Sequence, residues 1–121
     1  MSDTVTPTIN GKTGYELEKL EAYLDGATLV KNSGRGFWKC DATLSIFGVD
    51  YKHSTKSFTF NPSKWAKLVS DALQNGLRRP AMKLVFENDG NPLRVWIISD
   101  AEMKDYIRLL ELEENDVRDN A

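Results

Sequence analysis

An α/β domain is what the patterning of this chain predicts, and three features carry the expectation. Apolar residues recur at three- and four-residue spacing over 14–25, 62–74 and 100–112, and these stretches alternate with short runs rich in β-branched and aromatic residues. The elements follow in the order helix, β-hairpin, helix, β-hairpin, helix. Boundary residues agree with that order: Asn61-Pro62 opens the second helix, and Gly26 and Gly76 close the first two.

Residues 1–12, with Pro7 and the turn pair Asn10-Gly11, read as a flexible lead-in. The folded domain is expected over 13–112, with 113–121 as a charged, frayed tail. Leu17, Leu20 and Leu24, widened by Tyr23, give the first helix its apolar face up to Asp25. Thr28-Leu-Val30 reads as a short strand, and Lys31-Asn-Ser-Gly-Arg-Gly36 as a polar glycine-rich loop. Residues 41–52 then read as a tight hairpin centred near Ser45–Ile46. His53–Lys56 is expected to turn, and Ser57-Phe-Thr-Phe60 alternates like a strand. Trp65, Leu68, Val69 and Leu73 mark the apolar face of the second helix. Strands at 81–86 and 93–98 flank Glu87-Asn-Asp-Gly-Asn-Pro92, a hairpin signal. Asp100 caps a last helix whose apolar positions are Met103, Ile107, Leu110 and Leu112.

At 121 residues there is room for one core, not two. No apolar run approaches the ~18 residues that span a bilayer. The first eight residues carry no Lys or Arg, unlike a signal peptide. Cys40 is the sole cysteine, which excludes an internal disulfide and a multi-cysteine zinc site, and a cytoplasmic protein is the expectation. The net charge of −2 conceals an uneven distribution: residues 100–121 hold 8 acids and 3 bases. Residues 31–83 hold 10 bases against Asp41, Asp50 and Asp71. A basic middle is what phosphate binding needs, since affinity follows local charge.

Two of those three acids stand in a suggestive pattern, Asp41 and then Asp50-Tyr51-Lys52. Strand alternation puts Asp50 and Lys52 on one face, and the hairpin brings Asp41 opposite residues 50–52. Opposed residues have Cβ atoms about 4.5–5.5 Å apart. Carboxylates that close can share a divalent cation, and Mg²⁺ commonly takes one or two carboxylates plus water and phosphate oxygens. The same alternation also suits the exposed face of any amphipathic hairpin.

The longer pattern resembles a family. Gly14-Tyr-Glu-Leu-Glu18 opens a helix ending at Gly26, Val30-Lys-Asn-Ser33-Gly34 follows, then Asp41 and Asp50-Tyr-Lys52. Arg78-Arg-Pro80, Met82-Lys-Leu-Val-Phe86 and Arg94-Val-Trp96 extend it over roughly 14–108. This resembles the PD-(D/E)XK nucleases, and among them the Holliday junction resolvases of archaea and phages. The chain departs from that pattern in having Asp50 where Glu is usual, a short gap from Asp41 to Asp50, Cys40 in place of a preceding Pro, and Lys64 where relatives place Gln.

The resemblance implies an α/β restriction-endonuclease-like fold, a mixed central β-sheet flanked by helices. It implies a DNA endonuclease, most of all a homodimeric resolvase of four-way junctions in a bacterial or archaeal host cell. Asp41 and Asp50 would bind Mg²⁺ or Mn²⁺, with the Val49 or Tyr51 carbonyl as a further ligand. Glu18 would be a water-mediated or second ligand, unless Glu16 or Glu21 takes its place, and Lys52 would act on the developing charge. Lys31, Ser33, Arg35, Lys56 and Lys64 would contact DNA. A related nicking or repair nuclease is the alternative. A rival of another class is a non-catalytic single-strand DNA-binding module, since 57–65 also resembles a strand-to-helix junction in transcription-coactivator-type binders.

Overall fold

The computed structural model describes residues 14–30 and 40–119. In chain order the elements are α1 (Gly14–Asp25), β1 (Thr28–Leu29), β2 (Ala42–Leu44), β3 (Phe47–Ser54), α2 (Pro62–Gln74), β4 (Arg79–Phe86), β5 (Leu93–Ile97) and α3 (Asp100–Asp119). The strands form one mixed sheet in the order β1-β2-β3-β4-β5. β3 and β4 are parallel, joined by the α2 crossover, and every other neighbouring pair is antiparallel.

Alternation along β3 and β4 divides the core in two. Val49, Tyr51 and Ala81 point to one side with Ala42, where they pack against Ala22 of α1. Met82 and Leu84 point to the other with Cys40, where they meet Leu68 and Ala72 of α2. Gly48 sits under α2, and a Cβ there would lie 2.9 Å from Cys40 Sγ and 3.0 Å from Ala72 Cβ. The close seating of α2 on the sheet therefore requires glycine at this position. At the end of α1, Gly26 adopts φ +74°, its N–H bonding the Tyr23 carbonyl at 3.1 Å while Ala27 N–H reaches Ala22 O at 2.9 Å. This is the glycine cap that the sequence signals.

Several boundaries differ from the sequence expectation. Ser57–Phe60 has the alternation of a strand but joins no ladder; Phe58 instead packs on the cluster around Leu68. β3 runs on through His53 and Ser54, because parallel pairing with Val85 and Phe86 continues there. β5 ends at Ile97 and β1 covers only Thr28–Leu29. Ser99, not Asp100, caps α3: its Oγ accepts from Glu102 N–H at 3.1 Å. α3 continues to Asp119, past the expected boundary at Leu112, and buries none of its residues. The lead-in 1–12 lies outside the described residues. Among those described, no helix is long and apolar enough to cross a membrane.

Candidate functional site

The β2–β3 turn falls at Ser45–Ile46, and Ala42 pairs with Val49, so Asp41 comes beside Asp50. Asp41 ends the ladder with its own side chain. Its N–H bonds the Val49 carbonyl at 3.1 Å, and its Oδ2 accepts from Tyr51 N–H at 2.8 Å. The Asp50 carboxylate is a hydrogen-bond partner of Asp41. Lys52, two residues along on the same face, pairs with Asp50 at 3.3 Å. Asp41, Asp50 and Lys52 open together into a cavity of about 490 Å³ on the α2 side of the sheet.

Charge in this cavity is held under tension. Burial, then the neighbouring Asp50 carboxylate and Glu18, push Asp41 up to about 8 despite the Tyr51 N–H. Glu18, on α1, is pushed up to about 7, chiefly by burial, with Lys52 opposing and Asp50 reinforcing. Burial works against the Lys52 ammonium, yet Asp50, Asp41 and Glu18 more than offset it and raise its pKa. Glu18 is thus the acid of α1 within electrostatic reach of the Asp50–Lys52 pair. Glu16 is exposed, and Glu21 is committed elsewhere.

Glu21 belongs to a second charged cluster between α1 and the sheet. Lys83, nearly buried, bonds Glu21 and Asp25 at 2.8 Å each, and Arg94 closes on Glu21 at 2.8 Å. Tyr51 donates its hydroxyl to Asp25 at 3.0 Å, and its ring stands edge-on to Trp96. Burial opposes ionisation of Glu21, but hydrogen bonds from Arg94 and Lys83 lower its pKa below the ordinary range. His53 lies on this side as well, away from the cavity, and burial lowers its pKa. Tyr51 ties the two clusters: its side chain is anchored at Asp25 while its backbone holds Asp41.

The remaining cavity wall comes from α2 and the segment before it. Phe58, Leu68 and Met82 form an apolar floor, with Cys40 beside them, and Lys64, Lys67 and Asp71 line the cavity from α2. Lys64 bonds the Thr59 carbonyl and sits 4.5 Å from the centre of the Phe58 ring. Lys67 pairs with Asp71 at 2.8 Å. The sequence reading missed Lys67, Asp71 and Phe58 as cavity residues. Helical spacing would have found two of them, since 64, 67 and 71 share a face with 68.

Lys56 is exposed and does not line the cavity, while Lys31, Ser33 and Arg35 lie outside the described residues. Part of the basic middle is engaged within the protein. Lys83 is spent on Glu21 and Asp25, Arg79 pairs with Glu102 at 3.1 Å, and Arg78 bonds the Ser45 carbonyl at 2.6 Å.

Among the described residues, no group of three or more His, Cys, Asp or Glu side chains is gathered so as to hold a metal ion alone. The Asp41–Asp50 pair nonetheless fits a hard cation. It offers oxygen donors only, and the Asp50 carboxylate beside Asp41 makes ionisation of Asp41 costly without a cation. One or two carboxylates completed by water suit Mg²⁺ or Mn²⁺ better than Zn²⁺, which favours nitrogen and sulfur ligands. Comparison of the chain with protein-family models, curated proteins and solved structures finds no match.

Proposed function

We propose that this protein is a divalent-metal-dependent DNA endonuclease of restriction-endonuclease-like fold, and specifically a homodimeric resolvase of four-way junctions. The observation that carries the reading is the meeting of Asp41, Asp50 and Lys52 at one mouth of one cavity, with Glu18 reaching the same charges from α1. Support also comes from the element order, with a helix, the acid-bearing hairpin, a crossover helix, a second hairpin and a last helix, which is the order the resemblance implies.

Asp41 and Asp50 would hold Mg²⁺ or Mn²⁺, which when bound supplies Lewis-acid polarisation of the phosphate and a more acidic water. The other steps belong to the chain. Tyr51 N–H fixes one Asp41 oxygen, leaving the rest of the carboxyl toward Asp50 and the cavity. Asp50 orients the Lys52 ammonium, which stabilises negative charge developing on the phosphate in a partly desolvated setting. Glu18, its pKa raised to about 7 and within electrostatic reach of Asp50 and Lys52, would accept the proton that the attacking water releases. Lys64 and Lys67 at the rim neutralise flanking phosphates, and junction symmetry calls for two such sites related by a two-fold.

The test is cleavage of four-way junction, duplex and single-stranded DNA in Mg²⁺ and in EDTA, beside the Asp50→Asn variant. Paired incisions in the junction, dependent on metal and on Asp50, are expected. DNA held equally well in EDTA and never cut would overturn the reading in favour of a binding module.

A further inference from the structure

We infer that the cavity beside Asp41 and Asp50 receives an unpaired nucleobase of the DNA, stacked on the Phe58 ring. The substrate is then DNA with an unstacked nucleotide next to the cut. The inference deepens the proposed function and rests on its DNA part, not on cleavage. Asp41, Asp50 and Lys52 share their cavity with an apolar floor of Phe58, Leu68 and Met82. Metal and phosphate have no use for such a floor. At about 490 Å³ the cavity lies within the roughly 300–1,000 Å³ of small-molecule sites, which combine apolar walls with a few polar groups. Here Asp71, its side chain 14% exposed, and Lys67 supply them, paired at 2.8 Å. That places an acceptor beside a donor, and the pairing edge of a base offers partners of both kinds.

The Phe58 ring is covered by a group that can be exchanged. It is half-buried, and the Lys64 ammonium stands 4.5 Å from its centre. Lys64 is itself exposed and also bonds the Thr59 carbonyl. A solvated cation is held weakly over an aromatic face. A base stacks on such a face more strongly. A base entering over Phe58 takes the place of Lys64 and releases its ammonium to the strand that carries the base. The acids decide the occupant: a nucleotide whose phosphate meets Asp50 and Lys52 brings its own base as the nearest flat apolar group. In continuous duplex that base is paired and stacked, and removing it is costly. At a branch, a flap or a mismatch it is already loose. Because every base has a π-face, the pocket selects for unstacking and not for sequence.

The test is binding of four-way junctions to the full chain carrying Asp50→Asn, with a single abasic nucleotide placed in turn at each position nearest the branch point. At one position, loss of the base should weaken binding by about 5- to 150-fold, the worth of one base on an aromatic side chain. Phe58→Leu keeps an apolar side chain on the Leu68 cluster and should erase that difference. Lys64→Gln uncovers the ring and should preserve it. A readout without a change at Phe58 is photo-cross-linking: 5-iodouracil at the sensitive position should join to Phe58. Equal binding of abasic and intact junctions at every position, an abasic penalty that persists in Phe58→Leu, or a cross-link elsewhere would overturn the inference. Metal-dependent cutting by the unaltered chain with no abasic effect would leave the nuclease reading standing. An abasic effect that depends on Phe58, in a chain that never cuts, would keep the pocket and remove the nuclease. A chain that holds no DNA would overturn both.

Discussion

Asp41 serves the backbone and the site at once. One oxygen replaces a missing ladder partner for Tyr51 N–H, and the rest of the carboxyl faces Asp50. Asp50→Asn and Lys52→Ala touch no such structural bond, so both should leave the fold unchanged. Lys52→Ala should slow cleavage by about 10²–10³-fold, the usual loss of one preorganised electrostatic group. Asp41→Asn should be equally inactive but should also lower the melting temperature. Equal melting of all three with wild-type turnover in Asp50→Asn would remove the metal-site assignment. The raised values of Asp41, about 8, and Glu18, about 7, make a second prediction. An acid whose folded pKa is raised contributes stability that is complete below its unfolded pKa and is lost as pH rises through the folded value. In EDTA the protein should therefore melt progressively lower from about pH 4 to about pH 8, and no further above that. Mg²⁺ needs both carboxylates ionised, so its stabilising effect should grow over the same interval. A metal effect that shrinks as pH rises would contradict the shared site.

At the scale of elements, the helices were the legible part of this sequence and the irregular segments were not. Asn61 accepts from Lys64 N–H at 2.9 Å and Pro62 opens α2, as the dipeptide signals, because a cap is decided by residues next to each other. The hairpin turn and the convergence of Asp41 with Asp50 were legible for the same reason: strand period and a short loop determine both. Ser57–Phe60 misled because alternation reports which side chains are apolar, not whether an edge is free to receive a strand. The Glu21–Lys83–Arg94 cluster was invisible, since its members are brought together only by the parallel β3–β4 pairing and the packing of α1. Gly48 has a role that no local rule shows. Its replacement by alanine would drive a methyl into Cys40 Sγ and Ala72 of α2. Gly48→Ala should cost about 1–3 kcal/mol, the usual effect of overpacking. It should also lift α2, with Lys64 and Lys67, away from the acid-bearing hairpin, so that on the proposed reading DNA affinity falls with stability. Chemical denaturation beside a binding titration separates the two effects, and an unchanged denaturation midpoint would disprove the close seating.

Across the whole molecule, the charges sort by face, and salt dependence should reveal the sorting. The cavity side carries Lys52, Lys64 and Lys67, while Lys83 and Arg94 are consumed on the opposite side and Arg79 is tied to α3. A cation held in a buried or inter-element pair releases no counterion from DNA, so the cavity lysines should contribute to the salt slope where Lys83, Arg94 and Arg79 do not. Each phosphate neutralised changes log affinity by about 0.9 per log unit of salt. Lys64→Gln and Lys67→Gln should each flatten the slope by about that amount. Arg79→Gln should shift stability alone, and Lys83→Ala should cost about 3–5 kcal/mol by stranding Glu21 and Asp25 without altering the slope of the protein that remains folded. Lys67 must leave Asp71 to reach a phosphate, but that pair is a surface contact across one helical turn, which is worth only about 0.3–0.5 kcal/mol and is easily exchanged. The Asp50→Asn variant in Mg²⁺, expected to bind junction DNA without cutting it, is the form in which to measure these slopes between 50 and 200 mM salt (approximately the range in which such slopes are resolved). If Lys64→Gln and Lys67→Gln leave the slope untouched while Arg79→Gln lowers it, DNA lies on the other end of the sheet and the cavity does not face the phosphate backbone.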